Sequence, residues 1–280
     1  SAYTVDSSTG ALTPVAGSPF ASGSQPTAVE VSPDGRFAYT ANSQSANVSG
    51  YSINQTTGAL TPLPGSHVAP LLGRDAPWLD GRVSAGSQAR TRKSNQQLAQ
   101  DSAVSRQLQA LVRQALQREP LFLSAALPRR IYNPLFNHYG GGANAYGNHV
   151  DSAVMHSKAD NGWVRSDLSC TLFLTPPDEY EGGELVATEA WGEKRIKLPA
   201  GDMVLYPSST VHQVSPVTRG HRICSFFWVE SMVRGLEQRQ LLFDMDMALL
   251  KLRQSVGETD PAVIALSGTY HNLLRMWADV

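Results

Sequence analysis

Apolar and polar residues alternate over much of residues 130–230, and this alternation predicts a β-rich core. A strand places successive side chains on opposite faces of a sheet, so alternation indicates half-buried strands. Turn-forming pairs such as Asn-Gly, Pro-Pro and Gly-Gly separate the alternating stretches. Short strands at this spacing predict two sheets that pack together as a jelly roll. The predicted strands are 130–133, 147–153, 167–174, 183–187, 195–198, 203–206, 211–214 and 222–230.

Helical periodicity flanks this β-rich region on both sides. Over residues 101–118 apolar side chains recur at i, i+4, i+7 and i+8, which predicts an amphipathic helix that Pro120 ends. Two more helices are predicted at 233–256 and 262–278. The fold class expected is therefore mainly β with flanking helices: a double-stranded β-helix (jelly roll) core followed by C-terminal helices.

Residues 1–66 follow a different pattern, rich in Ser, Gly and Thr, and contain a repeat. S-T-G-A-L-T-P at 8–14 returns as T-T-G-A-L-T-P at 56–62, a period of 48 residues. Periods of about 40–50 residues with short strands are typical of propeller blades. The stretch resembles a fragment of a lactonase-type seven-bladed β-propeller, too short to assemble that family's catalytic centre. We interpret it as a remnant joined by gene fusion or by an error of sequence assembly; the alternative is a β appendage that packs on the main domain.

These patterns divide the chain into four parts. We expect a partial propeller-like segment at 1–66, a junction at 67–76, the jelly-roll domain with its N-terminal helix at 77–230, and a C-terminal helical segment at 231–280.

Charge and composition exclude several classes of function. The 280 residues carry 23 Lys and Arg against 24 Asp and Glu, so neither a nucleic-acid nor a membrane partner is expected. The basic cluster of Arg90, Arg92 and Lys93 is expected to lie on a solvated loop. Cys170 and Cys224 both lie in apolar runs and are expected to be buried thiols. No run has transmembrane length, and the expected location is cytoplasmic.

The candidate chemistry begins with His149-x-Asp151, which follows the glycine-rich loop 140–142. On a strand, residues two apart share a face, so the imidazole and the carboxylate are expected to point together. His212 lies 61 residues after Asp151, on another predicted strand. Two histidines and one carboxylate with open coordination positions are the arrangement of non-haem Fe(II) oxygenases.

Arg222 begins the last predicted strand and shares its face with Cys224, Phe226 and Trp228. A charge on an apolar face is costly unless it is paired. A bound dicarboxylate would pair with it, because the guanidinium fork binds a carboxylate bidentately. The alternative is an internal ion pair, with Glu184 or Asp202 as the partner. His138 and His221 lie on the opposite strand faces from these residues and are expected outside the site.

From about residue 71 to 280 the chain closely resembles the PKHD-type hydroxylases, within the prolyl-4-hydroxylase-like Fe(II)/2-oxoglutarate dioxygenases. The segments that carry the resemblance are P-W-L-D-G-R (77–82), P-L-F-N-H-Y (134–139), H-V-D (149–151), D-L-S-C-T-L-F-L (167–174), G-G-E-L (182–185), L-P-A-G-D-M-V-L-Y-P-S-S-T-V-H (198–212), P-V-T-R-G-H-R (216–222) and Y-H-N-L-L-R-M-W (270–277).

The resemblance implies a role for each site residue. His149, Asp151 and His212 would be the iron ligands of the catalytic centre, and Arg222 would bind the distal carboxylate of 2-oxoglutarate. Tyr139 matches a tyrosine that offers its hydroxyl to this co-substrate. A second such tyrosine of related hydroxylases is replaced by Phe173, so its hydrogen bond is expected to be absent.

The resemblance also implies the reaction, which is O2-dependent hydroxylation of an unidentified small molecule or peptide with release of succinate and CO2. Fe(II), 2-oxoglutarate and L-ascorbate are the implied cofactors, and a homo-oligomer is left open. The alternatives are a non-catalytic cupin-like metal-binding domain and a sugar lactonase-related propeller protein. Cupins usually cluster more histidines and have no arginine ten residues after the last ligand.

Overall fold

The computed structural model of the chain describes residues 1–20, 22, 25–32, 34–42, 47–62, 72, 76–84, 90–157 and 161–280. Its N-terminal part is a β1–β2 hairpin and a four-stranded antiparallel sheet in the order β3-β4-β5-β6. Most of the predicted junction 67–76 lies outside the described residues. The six strands are β1 (Tyr3–Val5), β2 (Leu12–Pro14), β3 (Pro26–Val31), β4 (Phe37–Asn42), β5 (Asn47–Ile53) and β6 (Leu60–Pro62).

The main domain contains sixteen strands among the described residues, and most belong to two sheets. They are β7 (Trp78–Asp80), β8 (Lys93–Ser94), β9 (Gln96–Leu98), β10 (Pro128–Ile131), β11 (Leu135–Tyr139), β12 (Ala145–His149), β13 (Val154–Ser157), β14 (Gly162–Arg165), β15 (Leu168–Phe173), β16 (Tyr180–Gly182), β17 (Leu185–Glu189), β18 (Gly192–Ile196), β19 (Met203–Pro207), β20 (His212–Val214), β21 (Val217–Gly220) and β22 (Arg222–Ser231).

The larger sheet has the order β19-β15-β22-β11-β9-β7, with β10 also paired to β22. The smaller sheet has the order β18-β17-β20-β12-β8. Sequence neighbours are often not sheet neighbours, as expected when two antiparallel sheets exchange strands in a jelly roll. The mainly β fold with a jelly-roll core is therefore confirmed. The pairs β13–β14 and β16–β21 are separate two-stranded ribbons.

Two helices that precede most strands of the main domain pack against the larger sheet. Helix α1 (Ala103–Gln117) begins at Ser102, whose hydroxyl accepts a hydrogen bond from the amide of Ser105. The predicted amphipathic face is buried through Leu108, Val112 and Leu116. The helix ends before Pro120, as predicted, but this proline also begins a second helix, α2 (Pro120–Ala126). Proline is favoured at a first helical position because the amide there needs no partner.

The C-terminal segment is a helical pair, α3 (Leu236–Val256) and α4 (Pro261–Trp277), close to the predicted bounds. Asp260 caps α4 by accepting a hydrogen bond from the amide of Ala262. The pair packs around Leu127, Val233 and Leu242. No helix among the described residues is long and apolar enough to cross a lipid bilayer.

Several strands were not predicted from the sequence. The prediction assigned no strand to 135–139, yet β11 lies between β22 and β9 in the larger sheet. The ribbons β13–β14 and β16–β21 were also missed. Each consists of strands of three or four residues, and segments this short carry little periodicity.

Candidate iron and 2-oxoglutarate site

His149 and His212 lie opposite each other on neighbouring strands of the smaller sheet. His149 is the last residue of β12 and His212 the first of β20, and the two are directly paired in the antiparallel register. Their ring centroids lie 4.2 Å apart. The carboxylate of Asp151 lies between them, with Oδ1 at 3.9 Å from Nε2 of His149 and Oδ2 at 3.8 Å from Nε2 of His212. One ligand atom from each residue therefore converges on a single point where a metal ion could bind.

Asp151 reaches this point by a different route from the one predicted. The expected strand at 147–153 ends at His149, and a register shift interrupts the β12–β20 ladder between Tyr146 and His149. Asp151 therefore lies in the loop beyond the strand, where strand alternation does not orient it. Its Oδ2 instead accepts a hydrogen bond of 2.6 Å from the hydroxyl of Ser169, on β15 of the opposite sheet. The Ser169 hydroxyl is also 2.8 Å from that of Ser208.

Both histidines are held with Nε2 directed at the candidate metal position. Nδ1 of His149 donates to the carbonyl of Gly147 at 2.8 Å, and Nδ1 of His212 donates to the carbonyl of Thr210 at 2.9 Å. A proton fixed on Nδ1 leaves the lone pair on Nε2 for a metal. Burial and the neighbouring His212 lower the pKa of His149 to about 4. The neutral ring that a metal requires is thus favoured at neutral pH.

A cavity of about 500 Å³ opens beside the three ligands and is lined by residues from both sheets. Arg222 lies in its wall with 1% of its surface exposed. Its Nη1 donates to Sγ of Cys224 at 3.0 Å, whereas Nε and Nη2 have no hydrogen-bond partner among the described residues. Cys224, Phe226 and Trp228 also line the cavity, as their shared strand face predicted.

The internal ion pair considered for Arg222 does not form. Glu184 binds Arg195 instead, at 2.8 Å. No carboxylate of the described residues lies within ion-pair distance of Arg222. A fully buried guanidinium with two unused donors is costly, so the arrangement favours a bound anion.

Tyr139 is paired with Arg222 across the β11–β22 ladder. The guanidinium carbon lies 5.2 Å from the centre of the Tyr139 ring and 5.2 Å from that of Phe173. The amide of Asn137 donates to the Tyr139 hydroxyl at 3.3 Å. Phe173 therefore lies beside Arg222 and supplies a ring without a hydroxyl.

Lys93 was assigned to the wrong environment by the sequence prediction. It is 5% exposed and lines the cavity, with its ammonium group 5.0 Å from the centre of the Tyr146 ring and 5.7 Å from that of Phe226. Burial lowers its pKa to about 8, although Asp151 partly offsets the effect. Its neighbours Arg90 and Arg92 had suggested a solvated loop, but Lys93 pairs with Tyr146 in the sheet.

His138 and His221 lie outside the site, as predicted. Their rings stack at 5.0 Å, and Nε2 of His138 is 3.1 Å from Nδ1 of His221. Nδ1 of His138 is 2.9 Å from Oε1 of Gln96. This pair is on the opposite face of β11 from Tyr139.

A jelly roll that presents two histidines, one carboxylate and a buried arginine to one cavity has the features of the non-haem iron oxygenase class. The family description "2OG-Fe(II) oxygenase superfamily" matches residues 134–230, and "PKHD-type hydroxylase C-terminal domain" matches residues 237–279. The description "Lactonase, 7-bladed beta-propeller" matches residues 1–71.

Similar proteins support the first two matches. A PKHD-type hydroxylase of Variovorax paradoxus is 60% identical over 206 residues, which cover 74% of this chain and 90% of that protein. One of Polaromonas is 60% identical over 205 residues, 73% of this chain and 90% of that protein. The chain therefore belongs to the PKHD-type hydroxylase family of the 2OG-Fe(II) oxygenases. Among solved structures, a Pseudomonas putida prolyl-4-hydroxylase is 23% identical with a TM-score of 0.39, over 59% of this chain and 83% of that one.

Proposed function

We propose that this protein hydroxylates a small molecule or peptide in a reaction that consumes 2-oxoglutarate and O2. His149, Asp151 and His212 hold Fe(II), Arg222 binds the distal carboxylate of 2-oxoglutarate, and Tyr139 offers its hydroxyl to this co-substrate. The observation that carries this proposal is the pair of unpartnered donors on the buried Arg222 guanidinium, in the cavity that the three candidate ligands share.

The residues fit both absent groups. In both histidines the proton is fixed on Nδ1, so each Nε2 is free to bind a metal, and Ser169 holds the carboxylate of Asp151. Two imidazole nitrogens and one carboxylate are a donor set suited to Fe(II). The free edge of the Arg222 guanidinium matches a carboxylate in shape and charge. Bound Fe(II) supplies the oxidising chemistry with O2 and 2-oxoglutarate: one oxygen atom enters succinate as CO2 leaves, and the other enters the new hydroxyl group.

The protein contributes binding and orientation. Arg222 fixes the distal end of 2-oxoglutarate and Tyr139 offers the co-substrate its hydroxyl, and these contacts set the position of the keto-acid end next to the histidines. Phe226, Phe227 and Trp228 give the cavity apolar walls, which limit the water near the reacting atoms. We further propose that the division into 1–66, 67–76, 77–230 and 231–280 separates an appendage and a junction from the catalytic domain and its C-terminal helices. The proposal includes a cytoplasmic location and L-ascorbate as an accessory reductant.

The test is succinate release by the purified full chain supplied with Fe(II), 2-oxoglutarate and O2. We expect slow release without a hydroxylation substrate, and faster release when a peptide or small molecule that couples to the reaction is added. Asp151→Ala should abolish iron binding and release together. Arg222→Ala should keep iron and require much higher 2-oxoglutarate.

A cupin-like metal-binding domain is the competing function, and the same experiment distinguishes it. Full iron loading without any succinate release would contradict the proposed hydroxylase and would support the metal-binding domain. If Asp151→Ala and Arg222→Ala lose iron equally, the roles assigned to these two residues are wrong.

A further inference from the structure

We propose that the hydroxyl of Tyr180 is a further hydrogen-bond donor to the distal carboxylate of 2-oxoglutarate and replaces the hydroxyl that Phe173 lacks. This inference rests on the proposed function, because it concerns the same co-substrate. Tyr180 comes from β16, a ribbon strand outside both main sheets.

Tyr180 and Arg222 meet at one point in the fold. Strand β16 pairs with β21, and Tyr180 lies opposite Gly220, two residues before Arg222. Gly183 marks the contact: a Cβ atom there would lie 2.9 Å from Cδ of Arg222 and 3.0 Å from Cε2 of Tyr180. The phenol ring and the arginine stem therefore both border the space beside Gly183. Tyr139 and Cys224 belong to the same buried cluster.

The Tyr180 hydroxyl is buried and unused. The residue is 1% exposed, and its hydroxyl has no hydrogen-bond partner among the described residues. A buried hydroxyl in this state is destabilising unless something binds to it. Nε and Nη2 of Arg222, which borders Gly183 together with Tyr180, also have no partner among the described residues. Three donors left open together indicate one acceptor that serves all of them.

A carboxylate has the right number of acceptor positions. Its two oxygens offer about four lone-pair sites, of which a bidentate guanidinium occupies two. A hydroxyl on one side fits a remaining site. Burial raises the pKa of Tyr180, with the Arg222 guanidinium offsetting part of the rise, so the phenol keeps the proton that it would donate.

Lys197 holds Tyr180 in place from the other side. Its ammonium group lies 4.0 Å from the centre of the Tyr180 ring and donates to the Tyr180 carbonyl at 2.7 Å. Lys197 and the close packing beside Gly183 thus restrict the ring. A hydroxyl held this way needs little reorganisation to bind a ligand, which favours affinity.

The test compares two keto acids that differ only at the distal end. The iron-loaded full chain is titrated without O2, by calorimetry, with 2-oxoglutarate and with 2-oxovalerate, in which a methyl group replaces the distal carboxylate. For Tyr180→Phe we expect the Kd of 2-oxoglutarate to rise about tenfold or more, since a hydrogen bond to a charged group is lost. The Kd of 2-oxovalerate should stay within about twofold. Tyr270→Phe, on α4, is the matched control and should change neither.

Three outcomes would overturn the inference. An unchanged Kd of 2-oxoglutarate would show that the hydroxyl makes no contact with it. An equal rise for both keto acids would show that Tyr180 acts on the cavity as a whole rather than on the carboxylate. If the iron-loaded wild-type chain does not bind 2-oxoglutarate, the proposed function itself fails and the inference fails with it. Thermal unfolding of the metal-free variant, unchanged within error, establishes that the substituted protein is folded.

Discussion

The residues of the candidate iron site are oriented mainly by their hydrogen bonds. Each histidine is fixed by a carbonyl two residues earlier in the chain, at Gly147 and Thr210. Asp151 has no strand to orient it and depends on Ser169 from the opposite sheet. Removing a group that holds a metal ligand in this way typically lowers metal affinity about 10–100-fold.

Replacing Ser169 should therefore weaken iron binding without removing a ligand. We expect Ser169→Ala to lower Fe(II) affinity by about 10–100-fold, because Asp151 loses the hydrogen bond that positions it. The matched control is Ser225→Ala: this serine is also buried, on the neighbouring strand β22, but its hydroxyl has no partner among the described residues. Metal titration of both variants decides the question. Equal affinities in the two variants would mean that Ser169 has no positioning role.

The sequence predicted which side chains meet in the cavity, but it did not predict the backbone path that brings them there. The spacing of His149, Asp151, His212 and Arg222 and the family resemblance identified the residues that meet in one cavity. The local reason given for Asp151 was wrong, because a register shift and the end of β12 are not visible in the alternation of residues. Lys93 was misassigned because its environment, Tyr146 and Phe226, is distant in the chain.

At the scale of elements, the ribbon β16–β21 packs beside Arg222. Gly182 ends its first strand and Gly183 follows it, with φ values of +68° and +65°, a region that favours glycine. Pairing of Tyr180 with Gly220 then places the ribbon against the first residue of β22. Short strands joined by glycines are hard to predict because they bury few side chains and depend on contacts distant in sequence.

Substituting Gly183 should damage both stability and co-substrate binding. In Gly183→Ala the new methyl would meet Val217, Arg222 and Tyr180 at 2.8–3.0 Å, in addition to the cost of a positive φ. Gly141→Ala is the matched control, since φ there is +58° but nothing lies within 4 Å. Urea unfolding should show Gly183→Ala less stable than the control by about 1–3 kcal/mol. If the two variants are equally stable, this contact does not limit the packing.

The pair β11 and β9 carries a pH-sensitive contact on the outer face. Burial, reinforced by His221, lowers the pKa of His138 to about 4, whereas an unfolded histidine titrates near 6.5. Between these values the unfolded chain binds a proton that the folded chain does not, so stability falls as pH decreases from about 6.5 to about 4. His138→Gln should make this loss shallower, and His271→Gln, exposed on α4, should not. Thermal unfolding from pH 7 to pH 4 measures the difference; identical slopes would contradict the assignment.

At the scale of the whole molecule, the N-terminal strands and the jelly roll have separate interiors. The three apolar clusters of the described main domain contain residues from Leu72 onward and none from the propeller-like segment. An exposed ion pair at 3.8 Å joins Glu30 to Arg118, and such surface pairs contribute little to stability. The change of composition and the 48-residue repeat predict a boundary near residue 66, but they give no register for the strands.

Removing residues 1–66 should therefore leave the reaction intact. We expect unchanged succinate release and nearly unchanged unfolding, because no cluster of the main domain loses a member. Removing residues 1–76 is the control: it also takes Leu72, which is 3% exposed in the main core, and should destabilise the protein. Complete loss of succinate release in the shorter deletion would show that the propeller-like segment supports the catalytic domain.

Because His149 pairs directly with His212, an iron ion bound to both would join two strands of the smaller sheet. The two strands meet in the smaller sheet through a ladder that a register shift interrupts, and these histidines lie at its end. An ion bound to both would act as a removable cross-link between segments 63 residues apart in the chain. Free Fe(II) at about 100 times its Kd would add about 2.7 kcal/mol to the stability of the fold. The resistance of this protein to heat and proteases would then rise and fall with the iron supply. The rate at which the protein is degraded would therefore depend on the availability of the metal that it uses.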